Sequence, residues 1–503
     1  MKKTTKSLII AISSVAVLVG GFLAVYYLLP SQENADDDTV SNPVSRSTSE
    51  SEEDHYHLIS YAPADIKKID VENETGKYTV LSSTPTVESE NSSGTLEKLT
   101  ADTVYTLVGY EDMELNTGSP DTLADDASSV TATKIVNDGS KKSDFGFDSP
   151  RAVINVEYTS GDKKTIRVGD DAPSNKGAYL MIDGDENVYL VESDSVDGFL
   201  GGAMEMLSKE IGKTADQDED NIFTQMKFSG DIFDGKEVEF GYPESGGFTE
   251  TYVIKSPDKS VANEETVSYM LGSVRSLTAK SVIQVNADEA SINKYGLDKP
   301  YVTVQAQYPD IKVDYKATKP DFEGNFYLLS NNIIYQMNKE SVPWVNYKYE
   351  QLFPTEVLSP DSDKVTKITV EANGKKYDFV VSRTTETTHD DDKDTDVEST
   401  SVAVTCNGKE ISEGCYNSFY QNLTSAKRNG LSKVNSDKKK LLTVTYEFTD
   451  GTNAKAEYFE GENRKCSVLV NDTLGSMSYD SYVKKIIEDV SKAANGETVT
   501  SIY

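Results

Sequence analysis

Few residues in this chain are of types and spacings that could do chemistry. Asp390-Asp391-Asp392-Lys393-Asp394-Thr395-Asp396 sets carboxylates on alternate residues, as calcium loops do. It lacks the glycine at loop position six and the closing glutamate, so it reads as a solvated charge run. His55 and His57 flank Tyr56 and offer two metal ligands without a third. His389 is the one other histidine, so no His-dependent triad can be placed inside a folded domain. Gly212-Lys213-Thr214 is similar to the end of a phosphate loop, but Leu207 stands where the first glycine is required. No Gly-x-Gly occurs, which removes the dinucleotide fingerprint. Ser256-Pro-Asp-Lys259 and Ser436-Asp-Lys-Lys439 match the Ser-x-x-Lys pair of acylating enzymes, without the accompanying Ser-Asp-Asn or Lys-Thr-Gly. Cys406, Cys415 and Cys466 are the only cysteines and make no disulfide scaffold. Cys406 and Cys415 could close one bridge in an oxidising compartment; free thiols are the other reading. No residue is therefore expected to be catalytic, cofactor-binding or metal-binding, no cofactor is implied, and the chain is expected not to be an enzyme.

The elements that would position any site are clearer than the site. Phe145-Gly-Phe-Asp-Ser-Pro150 precedes Arg151-Ala-Val-Ile-Asn-Val-Glu-Tyr158 and a meander ending Asn187-Val-Tyr-Leu-Val191. Tyr295-Gly-Leu-Asp-Lys-Pro300 precedes Tyr301-Val-Thr-Val-Gln-Ala-Gln307 and a meander ending Asn332-Ile-Ile-Tyr-Gln-Met337. Gly146 and Gly296 can take a positive φ, and Pro150 and Pro300 suit the start of a strand. Ala152, Ile154, Val156 and Tyr158 alternate with more polar residues, the period of a half-buried strand. The meander tyrosines Tyr158, Tyr179, Tyr189, Tyr301, Tyr327 and Tyr335 could line a sugar- or peptide-binding surface or could simply pack the sheets.

Around each meander the same order recurs. In the first unit, strands are expected over 65–71, 77–82 and 103–108. A helix starts at Ser119-Pro120-Asp121 and runs to about Ile135, with Leu123, Ala127, Val130 and Lys134 on one face; a short helix follows over 195–209. In the second, strands over 225–228, 238–240 and 250–255 precede a helix over 264–277, and Trp344 packs on the sheet. A third, divergent unit begins near Lys364, with strands over 365–370, 376–381 and 402–406 and an acidic, solvated loop over 384–400. It continues with a helix over 416–427, a meander over 441–470 and a last helix over 478–493. Asn429-Gly430-Leu431 echoes the glycine turn without its proline. Each unit mixes strands with a helix, which points to an α+β class.

Before these units, Leu8–Leu29 carries no charge and is long enough to cross a bilayer once, with Lys2, Lys3 and Lys6 on the cytoplasmic side. The organisation expected is a cytoplasmic tail (1–7), a transmembrane signal-anchor (8–29) and a disordered acidic, Ser-rich stalk (30–60). Three α+β modules follow over 61–212, 220–358 and 362–503. The body would then lie outside the plasma membrane, with the membrane as a partner through residues 8–29. A cleaved leader is the competing reading of the same run. A net charge of -34 in 503 residues argues against nucleic acid as a partner.

The aromatic-Gly-apolar-Asp-x-Pro turn, the strand pair after it and the Tyr-Leu…Val-Tyr-Leu-Val ending resemble a bacterial envelope family catalogued as domain of unknown function 4340. The resemblance covers about 65–200 and 225–345 and is weaker beyond Lys364. It departs at Phe147, where leucine is usual, and at Ser149-Pro150. It implies no catalytic residues. Some members lie beside or are fused to auxiliary components of ABC transporters of the gliding-motility type, so the resemblance implies a membrane complex of that type as one partner to expect. The expected function is a membrane-anchored extracytoplasmic scaffold or binding protein. The alternatives are a module binding cell-wall glycan or peptide, and an envelope hydrolase, which would need a concave site with clustered acids. The oligomeric state is open.

Overall fold

The computed structural model describes residues 55–502 other than 91–95, 101, 137–139, 174–175, 214–221, 245 and 391–394. These residues form three large antiparallel sheets in successive stretches of chain. The first holds β1 (Tyr56–Ser60), β2 (Ile66–Asn73), β3 (Gly76–Ser83), β6 (Val104–Leu107) and β7 (Ser129–Val136). Its meander is β8 (Ala152–Tyr158), β9 (Lys163–Asp171), β10 (Ala178–Ile182) and β11 (Val188–Val191). A separate hairpin, β4 (Thr86–Glu90) with β5 (Leu96–Thr100), joins β3 to β6. After β12 (Glu210–Gly212), the second sheet takes β13 (Gln225–Ser229), β14 (Val238–Gly241), β15 (Val253–Ser256), β16 (Ser260–Val261) and β18 (Ser281–Gln284). Its meander is β19 (Val302–Gln307), β20 (Lys312–Ala317), β21 (Asn325–Ser330) and β22 (Ile333–Asn338), while β17 (Ser276–Thr278) pairs with β12 instead. The third has β23 (Val365–Ala372), β24 (Lys375–Asp390), β25 (Thr395–Cys406) and β26 (Lys409–Ile411). It ends with the meander β27 (Lys440–Phe448), β28 (Asn453–Glu460), β29 (Lys465–Val470) and β30 (Leu474–Tyr479).

Eight positions recur in the first two sheets. The order β7-β11-β10-β9-β8-β2-β3-β6 matches β18-β22-β21-β20-β19-β13-β14-β15 strand for strand. The third repeats seven of them as β30-β29-β28-β27-β23-β24-β25. Its eighth position is held by an irregular segment: the Asn429 N–H donates to the Met477 carbonyl, the Met477 N–H to Gly430 and the Ser432 N–H to Gly475. Asn429-Gly430-Leu431 is thus a remnant edge strand and not the turn before the meander. The turns themselves are as expected: Gly146 (φ 85°) and Gly296 (φ 73°) are left-handed, and the strand after each proline alternates buried residues with half-buried or exposed ones.

Helices are short. They are α1 (Ser119–Ser128), α2 (Asp197–Leu200), α3 (Glu264–Gly272), α4 (Glu289–Lys294), α5 (Glu413–Thr424) and α6 (Asp480–Ala494). The α+β expectation is therefore corrected: the architecture is mostly antiparallel sheet. The expected helix to Ile135 stops at Ser128 and its second half is β7. Val130, Thr131, Thr133, Ile135 and Val136 are β-branched, and that density outweighs the helical spacing of Leu123, Ala127 and Val130. The helix expected over 195–209 is broken into short turns at Gly201-Gly202, and the one over 264–277 ends at Gly272. The loop expected over 384–400 is a ladder in its described part: β24 and β25 pair from Phe379↔Cys406 out to Asp390↔Thr395.

The expected transmembrane helix is not among the described elements: among the described residues no helix is long and apolar enough to cross a membrane. The tail, the 8–29 run and stalk residues 30–54 lie outside the described residues. The last part of the expected stalk is ordered, because Tyr56–Ser60 forms the edge strand β1 against β7.

One hydrophobic core runs from Ile59 to Val499 through all three sheets. Trp344 sits in it fully buried, stacked on Tyr315 of β20 with ring centroids 6.2 Å apart and edge-on to Phe228. Strand pairing joins successive sheets as well. The β12–β17 ribbon ties the first stretch to the second, and Glu356 bridges to Lys427 between the second and the third.

Candidate functional site

Two clefts lie where successive sheets meet, and both are built from connections and edges rather than from sheet faces. The larger, about 600 Å³, is between the second and third sheets. Its floor and walls are apolar or aromatic: Tyr242, Phe248, Val253, Ile254, Val261, Val357, Leu358 and Val470. Lys255, Lys259, Ser260, Thr452, Asn471 and a single carboxylate, Glu244, supply its polar groups.

The sequence explains why the cleft is there. In the first and third sheets the strand pair β3–β6 or β24–β25 is prolonged as a ribbon. In the second, β14 and β15 are short, and the residues between them fold over toward the third sheet. Gly247 lies under the Phe448 ring so closely that a Cβ there would be 2.5 Å from it. Phe248 meets Phe448 edge-on with centroids 5.6 Å apart. The Gly246 N–H donates to Asp450 Oδ2 at 2.8 Å, and the Asp361 N–H to the Gly247 carbonyl at 3.0 Å. On the other wall, Thr473 Oγ1 donates to the Lys259 carbonyl at 3.3 Å. The two-residue strand β16 edges the second sheet inside this clasp, as an extended ligand would require. Tyr242 packs on Phe223 at 4.8 Å, and its hydroxyl accepts the Phe223 N–H. Burial raises the Tyr242 hydroxyl above its ordinary pKa, so it stays neutral. Lys255 and Lys259 are exposed at the rim, and neither is in an ion pair among the described residues. They therefore present positive charge in a chain of net charge -34.

The second cleft, about 570 Å³, lies between the first sheet's helices and the β12–β17 ribbon. Glu114, Asp197, Glu205 and Glu210 line it together with Lys209, Asn116, Thr122 and Thr278. Asn116 shapes its rim: Oδ1 accepts the N–H groups of Gly118 and Ser119 at the start of α1, and Nδ2 donates to the Glu205 carbonyl. Behind the wall, burial pushes the Asp126 carboxyl up to about 6, although its Oδ2 accepts the Gly198 N–H at 2.9 Å. Four acids thus line one concave surface, but no three of them come close enough together to hold a metal ion.

The motifs met in the sequence scatter. Lys259 reaches the larger cleft, while Ser436 and Lys439 lie elsewhere. Lys213 pairs with Asp310 at 3.2 Å, and Thr214 lies outside the described residues. His57 Nδ1 is 3.1 Å from Thr131 Oγ1 across the β1–β7 pair. The Asp390–Asp396 run straddles residues outside the described ones. Among the described residues no group of three or more His, Cys, Asp or Glu could hold a metal ion. All three cysteines are free and buried. Tyr158, Tyr189 and Tyr335 are buried; Tyr179 packs on Phe145 and Tyr327 on Tyr295. Tyr301 is partly buried against the main core, so all six meander tyrosines pack against the sheets. Tyr242, Phe248 and Lys255 escaped sequence reasoning; an aromatic-rich connection between two short strands, with lysines just beyond, was the available signal.

The class these features define is a tandem antiparallel-sheet protein with clefts at its sheet junctions. The chain belongs to the family described as Domain of unknown function (DUF4340), whose model matches residues 105–222 and 253–407. Both matches begin at the same place in the repeated order, at β6 and at β15. No curated protein and no solved structure matches the chain.

Proposed function

We propose that the chain is a non-catalytic scaffold or binding protein of the cell envelope, and that the cleft between the second and third sheets takes an acidic peptide segment carrying an aromatic side chain. The observation that supports this is the pairing of an apolar, aromatic-walled cleft with two unpaired lysines at its rim. The floor would desolvate a ring, and the lysines would select and orient flanking carboxylates. The envelope location rests on the uncharged Leu8–Leu29 run and the family resemblance, and an association with an ABC transporter on the resemblance alone. The test is fluorescence anisotropy with a fluorescein-labelled Glu-Glu-Phe-Glu-Glu peptide. Binding should weaken at least about tenfold in the Lys255→Glu, Lys259→Glu double variant and with rising salt. Binding unchanged by the double variant would exclude this cleft.

A second reading is favoured by the acid-lined cleft: glycan binding there, with hydrolysis as its catalytic extension. Glu205 and Asp197 would be the groups to test. Incubation with purified cell wall should release reducing ends that Glu205→Gln abolishes. No retention on cell wall and no release would remove it.

A further inference from the structure

Phe322 is 94% exposed, at the tip of the turn between β20 and β21. The turn is well built: Asp321 Oδ1 accepts the N–H groups of Glu323 and Asn325, and the Asp321 N–H donates to the Asn325 carbonyl. The ring is therefore held out in water by an ordered turn, with carboxylates on both sides of it. Its charge and its exposed ring complement the lysines and apolar lining of the cleft described above. That cleft offers Tyr242, Phe248, Val261 and Leu358 around about 600 Å³, with Lys255 and Lys259 at the rim. In the sheet order β14, β13, β19 and β20 separate β15 at the cleft from β21, and the ring stays solvated in the single chain.

We propose that the occupant of the cleft is the Pro320–Asn325 turn of a second copy of this chain, Phe322 entering as a knob and Glu323 facing the lysines. The inference rests on the reading of the cleft as an acidic-aromatic peptide site. The contact is between two different patches, so it is heterologous: each copy keeps a free knob and a free cleft, and association runs head to tail. Asp321 is engaged in holding the turn, which leaves Glu323 as the charge to manipulate.

The experiment is sedimentation velocity on residues 55–503 up to concentrations on the order of 100 µM, after circular dichroism shows each variant folded. The wild type should grow in mass with concentration, less so at high salt. Phe322→Ser, Glu323→Lys and the Lys255→Glu, Lys259→Glu pair should each weaken association at least about tenfold. Mixing Glu323→Lys with the double-lysine variant should restore it. A wild type that stays monomeric, or variants that associate like it, overturns the proposal. Binding of the Glu-Glu-Phe-Glu-Glu peptide to the Phe322→Ser chain separates the two levels. If the peptide binds through the lysines while the wild type stays monomeric, only the self-association falls. If neither occurs, the reading of the cleft falls with it.

Discussion

At the scale of single residues, burial sets the chemistry more than sequence neighbours do. Asp126 shows the sign. Its pKa is raised to about 6, mainly by burial, so the folded state holds a proton that the unfolded state has released. Its contribution favours folding at low pH and is lost as the pH rises from the unfolded value through about 6. Asp126→Asn keeps an oxygen for the Gly198 N–H and removes the charge. Discounted for its partial contact with solvent, the gain at pH 7.5 is about 1 kcal/mol. Thermal melts should show a higher Tm for Asp126→Asn at pH 7.5 and no difference at pH 4; equal melts at both values would refute the assignment. The cysteines give a second prediction. Burial pushes the Cys406 thiol up to about 11 and that of Cys466 up to about 12. Native protein should resist iodoacetamide at pH 8 and react at all three thiols once denatured, read by mass spectrometry.

At the scale of elements, legibility followed how much of the signal was local. The glycine-proline turns and the alternation over 152–158 were plain in the sequence because φ preference and period two act within a few residues. Trp344 was placed correctly because one large ring in an apolar run has few places to go. The α1–β7 boundary was misread because Leu123, Ala127 and Val130 satisfy helical spacing. Only pairing with β1 and β11, distant in sequence, makes Ser129–Val136 a strand. The cleft was not legible at all, since Tyr242, Lys255, Leu358 and Val470 meet only through the packing of two sheets. Phe322 had a signal, an aromatic between acids in a Pro-Asp-x-x-Gly turn. Arg428 is another product of packing. Its Nε donates to the Pro354 carbonyl, and its Nη2 to those of Glu356 and Val357. Burial lowers its pKa to about 10, so it stays charged at neutral pH. It straps the connection between the second and third sheets to the third. Arg428→Met leaves those carbonyls with less to bond and should cost about 3 kcal/mol in urea unfolding; a loss below about 0.5 kcal/mol would mean that water replaces it.

At the scale of the molecule, the question is whether three repeated sheets behave as three units. His55–Tyr503 forms one compact unit, with a hydrophobic core continuous through all three sheets. Ordinary tandem domains meet through modest, more polar interfaces, and here the junction is apolar and hydrogen-bonded by backbone. At this junction Gly247 lies against Phe448 so tightly that any side chain would have to displace a buried ring. Gly247→Leu tests the coupling from the junction, because the glycine lies between β14 and β15 and the ring it must displace is that of Phe448 at the end of β27. Calorimetry of residues 55–503 should show one cooperative transition for the wild type. Gly247→Leu should split it, with the third sheet melting apart from the others and the total enthalpy nearly unchanged. Phe448→Ala should instead lower the third sheet's own transition, since it also removes a ring from that sheet's core, at a cost of about 3 to 5 kcal/mol. The same substitution at Gly247 should abolish binding in the adjoining cleft, whose wall is Phe248. A single unshifted transition for Gly247→Leu would mean that the second and third sheets hold together elsewhere, through the Glu356–Lys427 bridge and the Arg428 strap. A split without loss of binding would move the ligand site away from this junction.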